Sequence, residues 1–176
     1  MTTGGGKSAM RILGVDPGTR TMGYALLDVD DDDAPQCVAW GTLPGGPSRE
    51  IGERLHALHT GLQDVAARWA PDQLAIEEPF VSPQRGAKSA VAVGQAQAVA
   101  LLVAAQEGMT VHRYAPAKVK SAVANYGGGT KEQVQRSVQL LLGLGDEPMP
   151  EDASDAVAVA LCHVQQLRAA RRLAPR

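Results

Sequence analysis

The stretch RILGVDPGTRTMGYALLDV, residues 11–29, reads as strand, turn, strand, with apolar and small residues on both sides of Pro17-Gly18. Proline fixes φ and glycine tolerates positive φ, so this pair marks a turn, and a β-hairpin opens the domain. Working outward, QCVAWGTL (36–43) forms a third strand beyond the acidic run Asp28, Asp30, Asp31, Asp32 and Asp33, which reads as a solvated hairpin tip. From Pro47-Ser48 onward, Ile51, Leu55, Leu58, Leu62, Val65 and Trp69 recur at helical spacing. His56 and His59 lie on that helix as surface residues, since no third ligand follows at a metal-binding spacing. QLAIEE (73–78) is a fourth strand ending in carboxylates. A loop through Arg85 and Lys88 and an alanine-rich helix to about Glu107 follow, a strand-to-helix order that implies a parallel crossover. MTVHRY (109–114) is a fifth strand, Pro116–Ala124 a short helix, Lys131–Leu142 another, and a last helix starts at about Glu151. The expected fold is α/β: a five-stranded mixed sheet with helices on both faces.

Composition agrees with one globular domain: 176 residues, 44% hydrophobic and 20% charged. Residues 1–10 read as a flexible extension, 11–168 as the domain and 169–176 as a basic tail. The GGGKS of the extension lacks the first glycine of a phosphate-binding loop and has no strand before it. Cys37 and Cys162 lie far apart without metal spacing, which points to a reducing compartment, the cytoplasm. No apolar run is expected to reach the roughly 18 residues of a membrane span. The net charge of −2 is unevenly spread, because residues 81–136 hold seven Lys and Arg against two Asp and Glu, while residues 1–80 hold six against twelve. Local potential governs attraction to phosphates, so this basic middle third is compatible with a nucleic-acid enzyme.

Four carboxylates stand at the ends of patterned segments. Asp16 closes the first strand and Glu77 the fourth, while Asp152 and Asp155 sit three apart, on one face, near the start of the last helix. Taken singly, a strand-end Asp is often a turn former and a helix-start Asp often complements the helix dipole. Glu78 competes with Glu77, because adjacent strand residues face opposite ways. Converging together, the four would repel one another unless a cation neutralised them. Oxygen ligands select the hard ions Mg²⁺ or Mn²⁺, whose open positions suit phosphodiester hydrolysis.

The segments GVDPGTRTMGYAL, LAIEEPF, VGQAQAV, YAPAKVK, GTKEQVQ and EDASDAVAVAL occur in an order that resembles the RuvC family of Holliday junction resolvases, over about residues 11–165. The resemblance implies a ribonuclease H-like fold, a homodimer, and Mg²⁺-dependent paired nicking of four-way DNA junctions with two ions per active site. RuvA and RuvB are the partners it implies. By the same matching, Asp16, Glu77, Asp152 and Asp155 are the metal-binding catalytic acids, and Lys120 and Lys131 are lysines near the active site. Phe80 occupies the position that stacks on bases at the opened junction. Arg85, Lys88 and Lys118 join Lys120 and Lys131 as expected DNA contacts. The chain departs from many members at Ala92, which replaces a basic residue, and in the loop carrying Pro83 and Arg85-Gly86. Three rivals are weaker. An actin-like ATPase needs about twice this length, a non-catalytic junction-binding module would not need four acids, and the related ribosomal-RNA nuclease lacks this spacing of Phe80 and the closing helix.

Overall fold

A computed structural model of the chain describes residues 10–30, 34–48, 50–79, 86–124, 130–144 and 148–173. The elements run β1 (Met10–Asp16), β2 (Thr21–Val29), β3 (Pro35–Pro44), α1 (Ile51–Trp69), β4 (Gln73–Glu77), α2 (Gly86–Gln106), β5 (Thr110–Tyr114), α3 (Pro116–Ala124), α4 (Lys131–Leu141) and α5 (Glu151–Leu173). They form one five-stranded sheet in the order β3-β2-β1-β4-β5. β2 pairs antiparallel with both β1 and β3, whereas β1, β4 and β5 run parallel. This is the expected mixed α/β architecture.

β1 lies at the centre of the sheet, and its residues alternate between two cores. Ile12 packs with α5 and α3, while Leu13 and Val15 pack with α1 and α2, all three being fully buried. Helix α5 approaches the sheet unusually closely, because small residues meet there. A Cβ on Gly14 would overlap the Ala156 carbonyl and the Ala160 side chain, and one on Gly23 would overlap the Asp152 carbonyl. At the other end of β1, Arg11 donates from Nε and Nη2 to the two Asp28 carboxylate oxygens at 2.6 and 2.8 Å, and from Nη1 to the Trp69 carbonyl at 2.7 Å. Helix α1 then ends at Ala70 in the left-handed region, with φ 45°.

Six expectations need correction. Met10 belongs to β1, where it pairs with Val29, and not to the extension, and Lys88 lies in the first turn of α2 and not in the loop before it. Asp28 belongs to β2 and not to the acidic tip, because the Arg11 guanidinium compensates its charge within the sheet. Helix α1 begins at Ile51, after the Pro47-Ser48 stretch. Helix α5 runs to Leu173 through much of the supposed tail, with Arg171 and Arg172 in its last turn, where cations complement the helix dipole. Finally, Lys88–Gln106 is by length and composition apolar enough to cross a membrane, with a mean hydropathy of 1.4. Its apolarity has a packing cause, since Ala96, Val99, Ala100, Val103 and Ala104 fill the core it shares with α1.

Candidate active site

The parallel register sets Val15 beside Ile76, so the next residues, Asp16 and Glu77, end neighbouring strands side by side. Strand alternation decides which face they share. Val15 and Ile76 point into the α1–α2 core, so Asp16 and Glu77 project toward α5. The same alternation places Glu78, which is exposed, off that face and resolves the Glu77–Glu78 ambiguity. On β2, Gly23 pairs with Asp16 and lies against the Asp152 backbone, which brings the first turn of α5 over the end of β1.

The electrostatics report the same convergence. Burial first, then Asp155, Asp152, Glu77 and Glu151 in that order, raise the Asp16 pKa from 3.8 to about 7. All four acids singled out in the sequence therefore share one field. Glu151, at the start of α5, adds to it. Among the described residues no three His, Cys, Asp or Glu side chains already stand close enough to hold an ion. The acids converge without being closed into a cage. Their chemistry fits a hard divalent cation, because all the donors are oxygens and their mutual repulsion is what such an ion relieves.

Two supporting groups were not foreseen. The Gln97 side-chain N–H of α2 donates to the Glu77 carbonyl at 3.1 Å, fixing the end of β4. Tyr114, paired in register with Glu77, hydrogen-bonds His163, which also bonds Gln73. His163 is only 1% exposed, and burial together with neighbouring His112 lowers its pKa to about 4. Buried polar groups must find partners, but a linear sequence does not say which ones.

The basic residues are less uniformly placed. Lys118 carries its ammonium 5.7 Å from the centre of the Tyr114 ring. Lys88 and Lys120 are exposed, and among the described contacts none joins them to the acids. Phe80 and Arg85 lie outside the described residues, as does the Lys131 side chain. The Lys131 backbone opens α4, which Thr130 and Gln133 cap reciprocally. His59 meets Gln106 of α2 at 3.0 Å and has no part in the site.

Comparison with known proteins places this geometry. The model of the family described as "Crossover junction endodeoxyribonuclease RuvC" matches residues 12–163. A RuvC of Dehalococcoides mccartyi is 45% identical over 154 residues, covering 88% of this chain and 92% of the relative. A RuvC of Chloroflexus aurantiacus is 44% identical with the same coverage. The structure of T. thermophilus RuvC in complex with Holliday junction substrate superposes with a TM-score of 0.81 at 31% identity, covering 92% of this chain and 96% of that one. The yeast mitochondrial Holliday junction resolvase, 13% identical with a TM-score of 0.67, shares the fold.

Proposed function

The chain belongs to the RuvC family of crossover junction endodeoxyribonucleases, metal-dependent nucleases of recombination and repair, and from that membership we propose that it resolves four-way DNA junctions by paired, symmetric nicks. The observation that carries this reading is the convergence of Asp16, Glu77, Asp152 and Asp155 on one face, where burial first and the neighbouring acids after it raise the Asp16 pKa to about 7. A buried carboxylate set among other carboxylates is costly for folding alone and suits the binding of cations.

In this reading Asp16, Glu77, Asp152 and Asp155 hold Mg²⁺, or Mn²⁺, with Asp16 central because every other acid acts on it. Two ions held by these carboxylates would supply the positive charge that lowers the pKa of an attacking water and stabilises the leaving oxygen. The chain's own part is geometric. Gln97 fixes the carbonyl at the end of Glu77's strand, and the small residues of α5 hold Asp152 against Gly23. Lys120 and Lys131 contact phosphate, as do Arg85, Lys88 and Lys118, while Phe80 stacks on a base at the opened crossover. The nuclease domain starts with β1 at Met10 and acts in the cytoplasm.

Two identical sites suit a junction with two cleavable strands, so the working form is a homodimer. Val91 and Leu102, 60% and 52% exposed on α2, lie with exposed Ala98 and Ala105 along an apolar stripe that a second copy would cover. RuvA and RuvB are the partners that would deliver the junction. The test is Mg²⁺-dependent cutting of a synthetic four-way junction beside a linear duplex of the same sequence. Symmetric nicks in the junction alone support the reading, and equal cutting of both would remove it.

A further inference from the structure

Between β4, β5 and α5 runs a chain of polar groups, buried at Tyr114 and His163, that the proposed hydrolysis does not itself use. Gln73 presents its carbonyl oxygen to His163 Nε2, and the Tyr114 hydroxyl meets His163 Nδ1. A carbonyl oxygen only accepts, so Nε2 carries the proton, Nδ1 carries the lone pair, and the Tyr114 hydroxyl donates. His112 stacks on the other side of His163, with ring centroids 4.1 Å apart. Burial and His112 hold the imidazole neutral, the form this arrangement requires. Tyr114 is thus locked at its hydroxyl while its backbone pairs with Glu77.

The locked ring has a use on its open side. Lys118 lies in the first turn of α3, directly after β5, and its Nζ rests 5.7 Å from the ring centre, within cation–π range. Tyr114 pairs in register with Glu77, so the ring under Lys118 belongs to the residue beside that carboxylate, and both Lys118 and Glu77 act on the Cys162 thiol, in opposite senses. Lys120 differs. Val119 between them is buried, so the two lysines leave α3 on opposite flanks, and only Lys118 stands over Tyr114.

Resting on the nuclease reading above, we propose that Lys118 is a catalytic cation of this chain: its ammonium, held over Tyr114 beside Glu77, contacts the phosphodiester at the carboxylate crevice. Tyr114 and His163 are its positioning residues. A cation fixed before substrate arrives stabilises the charge growing on the phosphate without reorganising during the reaction.

The experiment uses the full chain, a synthetic four-way junction and Mg²⁺, in single turnover with enzyme saturating. If the parent protein leaves junctions uncut, the nuclease reading falls. An independent readout for Lys118 remains in that case: ring current from Tyr114 should shift the Lys118 ε-methylene protons upfield in NMR spectra, and Tyr114→Leu should abolish the shift. If the parent cuts, Lys118→Met should lower the saturated rate about tenfold or more with junction Kd changed less than about threefold, and Lys118→Arg should restore most of the rate. Tyr114→Leu should lower the rate similarly and add nothing in the Lys118→Met background, because the two act as one unit. Should a thermal melt show that Tyr114→Leu does not fold, Tyr114→Phe takes its place, losing the hydroxyl anchor alone. Its smaller loss should likewise vanish with Lys118→Met. A parental rate for Lys118→Met, an unshifted ε-methylene, or Tyr114 and Lys118 losses that multiply would each overturn the proposal.

Discussion

Gly23 lies against the Asp152 carbonyl with no room for a methyl group between them. A residue without chemistry of its own thereby sets the height of α5 above Asp16. Gly23→Ala should push the first turn of α5 outward, lowering cleavage at a given Mg²⁺ concentration and costing about 1–3 kcal/mol of stability. Denaturant melts and a magnesium titration of the cleavage rate check both halves. Parental values in both would mean that α5 tolerates the displacement and that its closeness is not needed.

The raised pKa of Asp16 makes a signed prediction. In the folded protein without metal, Asp16 keeps its proton to a higher pH than in the unfolded chain, so the folded state binds more protons between about 3.8 and 7. Stability without metal should therefore fall as pH rises through that window. Asp16→Asn removes the charge and should raise Tm at pH 8 more than at pH 4. In the parent at limiting Mg²⁺, cleavage should rise as pH increases through about 7, and the midpoint should move lower as Mg²⁺ is increased, since the ion competes with the proton. A midpoint indifferent to Mg²⁺ would detach Asp16 from the metal.

Ala70 ends α1 at a φ of 45°, a conformation that costs an L-residue about 1–2 kcal/mol. Ala70→Gly should stabilise the protein by up to about 1 kcal/mol and leave cleavage unchanged, because the site lies elsewhere. A destabilised glycine variant would show that the alanine methyl makes a compensating contact.

Junction affinity should fall steeply with log[salt] despite the net charge of −2, because the basic residues are concentrated between Arg85 and Arg136. Each neutralised duplex phosphate contributes about −0.9 to the slope, so Lys120→Ala should flatten it by roughly one unit. A slope unchanged by the substitution would place Lys120 away from the DNA.

The hairpin, the parallel crossover and the four acids were legible because apolar runs and strand-end carboxylates are local features. Which of Glu77 and Glu78 enters the site depends on register, and the parallel pairing of Val15 with Ile76 supplied it. Asp28 looked like part of a solvated tip because its partner, Arg11, lies on another strand. Gln97 and His163 escaped notice for the same reason, since a buried amide or imidazole acquires meaning only from the tertiary partner it meets. The apolarity of α2 was underestimated because alanine and glycine dilute a run whose mean still reaches membrane-like values.

The most direct test of the central claim compares parent and Asp16→Asn on a four-way junction with Mg²⁺, measuring binding and single-turnover cleavage in the same samples. If Asp16 anchors the metal-binding acids, the variant should bind the junction as the parent does and lose cleavage by far more than tenfold, while the parent nicks the junction and spares the linear duplex. Cleavage within about tenfold of the parent, a barrier change below about 1.4 kcal/mol, would reduce Asp16 to a turn residue and contradict the account.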